Sequence, residues 1–126
     1  MSKAAAEDFC AKPFAERLEL SQTLKVKHPG RLPIVLNTAQ YRGELKPDYK
    51  WKYLCPEHYR LSQLFWEIIN NGLQISFKEG IHFNFYDSTM RSIVPPMSHT
   101  ILEIYNKYKS NDGFLYIYVS KENTFG

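Results

Sequence analysis

A run of six apolar or aromatic residues at 114–119 (Phe-Leu-Tyr-Ile-Tyr-Val) most constrains the fold of this chain. A strand with one face in water alternates polar and apolar side chains. This run does not alternate, so we expect a strand covered on both faces, as in the middle of a sheet. The chain has 126 residues, which fits one domain and makes a second independent core improbable.

Three further segments have the pattern of strands. Residues 32–38 contain a short apolar run, and residues 81–86 alternate large apolar with more polar side chains. Residues 50–55 alternate as well. This alternation predicts two faces, one with Lys50, Lys52 and Leu54 and the other with Trp51, Tyr53 and Cys55.

The spacing of apolar residues predicts three helices, at about residues 13–27, at about residues 60–71, and after Ser98 as the cap of a helix. The last of these carries Ile101, Leu102 and Tyr105 on one stripe. We expect the first dozen residues, which are small or charged apart from Phe9 and Cys10, to form a short helix or a flexible arm.

Polar segments separate these elements. We expect loops at 39–48 and 88–96, a turn at 111–113 and a mobile polar tail at 120–126. The resulting order is helix, strand, strand, helix, strand, helix, strand, tail. It predicts an α+β fold in which helices pack on a sheet.

The composition excludes several classes of protein. Hydrophobic residues make up 44% and charged residues 23%, which rules out a wholly disordered chain. No apolar run approaches the roughly 18 residues of a membrane-spanning helix, and residues 1–6 lack the apolar segment of a secretory signal. The two cysteines, Cys10 and Cys55, give no disulfide framework. We therefore expect a cytoplasmic protein.

The net charge of +3 is unevenly distributed. Residues 1–60 hold eleven Lys and Arg against seven Asp and Glu, whereas residues 61–126 hold five against six. A basic front half suits an acidic partner, and it also suits an ordinary solvated surface. Alternating Lys50, Trp51, Lys52 and Tyr53 could stack on single-stranded nucleic acid. The aromatic side chains suit a core equally well, so we expect no nucleic-acid partner.

Catalytic and metal-binding patterns are weak. Cys55 with His28 or His58 could form a thiol and base, but a cysteine in a strand pattern is more often inert packing. The four histidines are scattered without zinc-ligand spacing. We expect no enzyme activity, no metal and no cofactor.

Several segments point to one family when they are taken together. They are Pro13-Phe14 with Arg17, residues 28–35 (His-Pro-Gly-Arg-Leu-Pro-Ile-Val), residues 52–56 (Lys-Tyr-Leu-Cys-Pro), and residues 114–117 ahead of the ending Glu-Asn-Thr-Phe-Gly. In this order and spacing the chain resembles the autophagic ubiquitin-like modifier family, which includes GABARAP and the microtubule-associated protein light chain proteins.

The resemblance implies a ubiquitin-like β-grasp fold with a four-stranded mixed sheet, two crossing helices and an N-terminal helical extension. It implies one domain over residues 1–126, with the extension at 1–27, the β-grasp core at 28–119 and a flexible conjugation tail at 120–126.

The resemblance also implies conjugation of Gly126 to phosphatidylethanolamine. Activating and conjugating enzymes, and a cysteine protease for delipidation, would be partners, and the lipidated form would reside on the autophagosome membrane. A terminal glycine has no Cβ, so it can enter a narrow catalytic channel. Two alternatives stay open: an unconjugated peptide-binding adaptor, and a modifier that is attached to a protein.

Finally, the resemblance implies a groove that binds short motifs of cargo receptors, with an aromatic residue, two spacers and an aliphatic residue, as an added strand. The aromatic pocket would consist of Leu20, Leu24, Pro33, Val35, Lys52, Leu54 and Phe114. The aliphatic pocket would consist of Tyr53, Cys55, Pro56, Tyr59, Leu64 and Ile68. Acidic residues flanking the motif would meet Arg31, Lys50 and Lys52.

Three positions depart from the family pattern. Leu20 stands where relatives often carry Glu, Glu67 replaces a usual aliphatic residue at the edge of the second pocket, and Ile69 replaces a usual Arg. The loop over residues 87–94 also looks longer than in relatives. We therefore expect a different motif preference.

Overall fold

A mixed sheet with helices on both faces organises the chain. The computed structural model describes the backbone of residues 5–38, 44–45, 49–71, 73–74 and 80–122. The elements in chain order are α1 (Ala5–Cys10), α2 (Phe14–Lys27), β1 (Arg31–Asn37), β2 (Glu44–Leu45), β3 (Lys52–Pro56), α3 (Leu61–Asn71), β4 (Leu73–Gln74), β5 (Gly80–Tyr86), β6 (Ser92–Ile93), α4 (Ile101–Tyr108) and β7 (Leu115–Glu122).

The main sheet has five strands in the order β3-β1-β7-β5-β6. The two central strands, β1 and β7, are parallel, and the other pairs are antiparallel. Strands β2 and β4 form a separate two-stranded sheet. The α+β prediction is confirmed, but the count of four strands is wrong because β6 lies in the segment that was expected to be a loop.

The predicted central strand is confirmed, since β7 has β1 on one side and β5 on the other. Its alternate residues Leu115, Ile117 and Val119 are completely buried in the main core. Tyr116 and Tyr118 on the opposite face are half-buried. Coverage of the two faces is therefore unequal: α3 and α4 pack on one face, while α1 and α2 lie over part of the other.

The start of α4 and both ends of β3 differ from expectation. Thr100, not Ser98, caps α4: its hydroxyl accepts from the Glu103 amide at 3.2 Å, and the Glu103 carboxylate accepts from the Thr100 amide at 3.0 Å. This start turns Ile104 inward and leaves Leu102 37% exposed. The strand predicted at 50–55 is β3, which begins at Lys52 and ends one residue later.

The predicted mobile tail is wrong for residues 120–122, which extend β7 by pairing with β5. Backbone pairing, and not apolar side chains, sets the end of this strand. Residues 123–126, including Gly126, lie outside the described residues.

Candidate functional site

Strand β3 is the edge of the sheet, and in the described part of the chain its sole strand partner is β1. Antiparallel partners alternate between pairs that exchange hydrogen bonds and pairs that do not. The backbone amide of Leu36 donates to the carbonyl of Trp51 at 2.7 Å, and the backbone amide of Glu57 donates to the carbonyl of Gly30 at 2.9 Å. These two bonds show which pairs are hydrogen-bonded. In this register Val35 faces Lys52, and Pro33 faces Leu54, without backbone hydrogen bonds between the paired residues.

The backbone groups of Lys52 and Leu54 therefore point away from β1, toward the free edge of the sheet. Pro33 fits this register because it has no N–H to donate. The guanidinium of Arg31 donates to the carbonyl of Leu54 at 3.2 Å, so one outward group already has a side-chain partner. An extended ligand can find donors and acceptors along this edge.

The first predicted pocket comes together on the face of the sheet that α1 and α2 cover. Val35 and Phe114 are buried in one cluster, and Leu20 and Leu24 of α2 pack against it. The register places Lys52 opposite Val35 and Leu54 opposite Pro33 on the same face. Pro33 is buried, Leu54 half-buried and Lys52 exposed.

Two members of this cluster were not predicted from the sequence. Phe9 of α1 is 3% exposed, and its ring lies edge-on to Phe114 at 5.1 Å and to Trp51 at 5.8 Å between centroids. Trp51 packs against both core clusters. The isolation of Phe9 in a polar segment was a usable signal, since a lone large aromatic residue there suggests a docking contact.

An ion pair holds α2 in place beside this cluster. Arg17 donates to the Asp112 carboxylate at 2.7 Å, and the hydroxyl of Tyr116 donates to the same oxygen at 2.5 Å. The hydroxyl of Ser21 donates to the Asp112 carbonyl at 2.6 Å. The turn before Phe114 is therefore tied to the helix that carries Leu20 and Leu24.

The second predicted set lies mostly in the main core. Four of its members are buried there and Tyr59 packs against them. These four are Tyr53, Cys55, Leu64 and Ile68. Pro56 and Tyr59 are half-buried at the end of β3. The buried members can form the base of a pocket, while Pro56 and Tyr59 are more accessible.

The charges around Tyr53 and Cys55 are mixed. Burial, with a further contribution from the Glu67 carboxylate, raises the pKa of the Cys55 thiol to about 12 and also raises the pKa of Tyr53. The Lys50 ammonium lies 4.6 Å from the centroid of the Tyr53 ring. Arg31, Lys50 and Lys52 are all exposed, as contacts to acidic residues require.

Cys55 has the surroundings of a packing residue. Its thiol donates to the carbonyl of Pro56 at 3.6 Å, and it stays protonated at neutral pH. Among residues that the structure describes, no group of three His, Cys, Asp or Glu side chains could hold a metal ion. Within the same residues, no helix is long and apolar enough to cross a bilayer.

The family model for "Autophagy protein Atg8 ubiquitin like" matches residues 16–126 of this chain. The chain belongs to the Atg8 family. Its curated Atg8-family relatives include Autophagy-related protein 8 of Dictyostelium discoideum, 33% identical over 114 residues, covering 90% of this chain and 88% of the relative. Another is that of Schizosaccharomyces pombe (strain 972 / ATCC 24843), 34% identical over 113 residues, with 90% and 88% covered.

Solved Atg8 structures share the fold. Trypanosoma brucei ATG8 has a TM-score of 0.74 and 27% identity, covering 93% of this chain and 95% of that one. Plasmodium falciparum Atg8, solved in complex with a Plasmodium falciparum Atg3 peptide, has a TM-score of 0.69 and 22% identity, covering 88% and 94%. These matches confirm the resemblance that the motifs indicated and the ubiquitin-like fold.

Proposed function

We propose that this Atg8-family chain is a modifier, and not an enzyme, that is conjugated through Gly126 to phosphatidylethanolamine and recruits cargo receptors through the groove beside β3. The free edge of β3 carries the recruitment part of this proposal. Lys52 and Leu54 direct their backbone groups outward there, between an apolar cluster under α2 and the residues at the end of β3.

The expected ligand is an extended peptide with an aromatic residue, two spacers and an aliphatic residue. Burial of each anchor contributes about 1.5–3 kcal/mol. With strand pairing and with acidic residues near Arg31, Lys50 and Lys52, we expect micromolar affinity, near −8 kcal/mol. Nucleic acid is not an expected partner.

Conjugation would proceed in four steps. ATP adenylates the Gly126 carboxylate and releases pyrophosphate, and the thiolate of an activating enzyme then displaces AMP. The acyl group passes to a conjugating enzyme by exchange of one thioester for another. Finally, the amine of phosphatidylethanolamine forms an amide, loses a proton and releases the enzyme thiol.

The Plasmodium Atg8 complex supports an Atg3-type partner for this chain. We also expect an activating enzyme and a cysteine protease that removes the lipid. Two acyl chains suffice for stable anchoring, so the protein would move from the cytoplasm to the autophagosome membrane.

Reconstitution with the matching enzymes, ATP and phosphatidylethanolamine liposomes tests the conjugation part. We expect a lipid adduct on the intact chain and none on a variant that lacks Gly126, with mass spectrometry to locate the bond. An adduct on a protein amine would identify the alternative protein modifier. Absence of any adduct, under conditions that lipidate an established Atg8, would leave only the unconjugated adaptor.

A further inference from the structure

Glu67 lies beside the region where the second anchor of a ligand would bind. It follows buried Leu64 by three residues and precedes buried Ile68, so it borders the stripe of α3 that faces the sheet. Its side chain is half-buried. An aliphatic residue at this border would extend the apolar surface, and Glu67 instead adds a carboxylate.

The charge of Glu67 acts on the face of β3 that packs toward α3. Tyr53 and Cys55 both point to that face, and the carboxylate raises the pKa of both. Its carboxylate makes no ion pair with any described residue, and Asn71 donates to its backbone carbonyl instead. A ligand cation could therefore bind without first displacing a partner within the described structure.

The direction of α3 places Glu67 along the groove. Helix α3 begins just beyond the end of β3, and at its other end the Asn71 carbonyl accepts from the Lys50 amide at 3.1 Å. The helix therefore runs antiparallel to β3. Glu67, in the second half of α3, lies toward the start of β3, on the side of the aromatic anchor.

The strand period then selects one ligand position. An extended peptide directs alternate side chains to opposite faces. Its aromatic anchor, over Lys52 and Leu54, points to one face, and the aliphatic anchor three residues later points to the other. The first spacer shares the face of the aliphatic anchor, whereas the second spacer shares the face of the aromatic anchor.

We propose that Glu67 makes the groove select peptides with lysine or arginine directly after the aromatic anchor. The carbon stem of such a side chain packs along the groove while its cationic head reaches the carboxylate. This inference rests on the proposed function, because it assigns a preference within the same groove. The complete ligand is acidic outside the motif and basic at its first spacer.

Two isomeric peptides test this inference, one with Lys then Gln as its spacers and one with Gln then Lys. Both keep the same net charge, the same anchors and the same acidic flank. Titration calorimetry would measure their affinities for the intact chain, for Glu67→Gln and for Glu16→Gln. The last variant removes an equal charge from the exposed start of α2.

We expect the intact chain and Glu16→Gln to bind the peptide with lysine at the first spacer about threefold to fivefold more tightly. Glu67→Gln should bind the two isomers equally. The preference should also decrease as salt is added.

Equal affinities for the intact chain, or a preference that Glu67→Gln retains, would overturn this inference. The proposed recruitment function would still stand if both peptides bound and shifted the Lys52 and Leu54 amides. Absence of binding by both isomers would overturn the recruitment function and this inference together.

Discussion

At the scale of single residues, burial decides the chemistry of Cys55. The side chain is 2% exposed, and burial followed by the Glu67 charge raises the pKa of its thiol to about 12. At pH 8 this thiol would therefore be almost entirely protonated. The residue that could have been a nucleophile in the sequence is thus a packing residue in the fold.

We therefore expect Cys55 to resist alkylation. In the native protein at pH 8, iodoacetamide should modify half-buried Cys10 well before Cys55, because attack requires both the thiolate and access. Mass spectrometry of peptides over a time course would compare the two sites, with denatured protein as the control. Rapid modification of native Cys55 would contradict the burial that the structure assigns to it.

Two glycines with similar backbones offer a matched comparison. Gly113 and Gly30 have φ of +86° and +80°, so alanine is strained at both. A Cβ at position 113 would lie 2.3 Å from the Ser21 hydroxyl oxygen, whereas one at position 30 meets nothing within 4 Å. Both substitutions strain the backbone, but only the first also displaces the Ser21 side chain, which bonds the turn to α2.

Gly113→Ala should lower the free energy of unfolding by about 2 kcal/mol more than Gly30→Ala does. Urea denaturation of both variants would measure the difference. Equal losses would mean that the turn relaxes without cost and that Ser21 does not lock α2 there.

At the scale of elements, Phe9 is the buried aromatic residue through which α1 packs on the sheet. Phe9 is buried against Phe114 and Trp51, whereas Phe14 at the start of α2 is 47% exposed. Phe9→Ala should cost about 3 kcal/mol and shift the indole resonance of Trp51 in NMR spectra. Phe14→Ala should cost less than about 1 kcal/mol and leave that resonance in place. A small effect of Phe9→Ala would show that α1 does not dock as described.

The start of α4 gives a second test at this scale. Thr100→Ala removes the capping box and should cost about 1 kcal/mol, while Ser98→Ala should cost less than about 0.5 kcal/mol. Chemical denaturation at neutral pH would compare them. Hydrogen bonds from the amide and hydroxyl of Thr100 lower the pKa of Glu103. The contribution of the Glu103 carboxylate to the stability of the fold is therefore present above the usual carboxyl pKa. It is lost as the pH falls through the lowered pKa of Glu103. A larger loss for Ser98→Ala would contradict the observed cap.

The sequence predicted the elements with strong periodicity and missed those that depend on distant partners. The stripe of Leu61, Leu64 and Ile68 marks α3 unambiguously, and the apolar run marks β7. Strand β6 has two residues and exists because β5 offers an edge. Similarly, α4 begins directly after Thr100 because Thr100 and Glu103 form a capping box. The helical spacing of apolar residues does not encode this hydrogen-bonded pair.

In the candidate site, too, local sequence patterns predicted some features, while those that depend on distant partners were missed. Alternation along 50–55 predicted which side chains of β3 face the core, and Tyr53 and Cys55 are buried as expected. The isolation of Phe9 suggests that it docks somewhere, but the sequence does not show on which cluster, because that depends on where α1 packs. The pocket residues themselves came from the family resemblance, and their role in ligand binding stays a prediction.

At the scale of the whole molecule, the proposed groove at β3 and the end of β7 lie on different parts of the sheet. Strand β7 runs parallel to β1 and continues to Glu122, four residues beyond the pair Asn37–Tyr118. These four residues extend about 13 Å. Strand β3 is separated from β7 by β1. A lipid attached through Gly126 would therefore leave the edge of β3 available, so that one molecule could be anchored and recruit at once.

Amide hydrogen exchange during peptide binding tests the outward direction of the β3 edge most directly. With a saturating aromatic-x-x-aliphatic peptide, the amides of Lys52 and Leu54 should gain at least about tenfold protection, because a new strand accepts their hydrogen bonds. The amides of Tyr53 and Cys55 should change little, since β1 already pairs them. Binding that leaves Lys52 and Leu54 exchanging at their free rates would contradict strand addition at this edge.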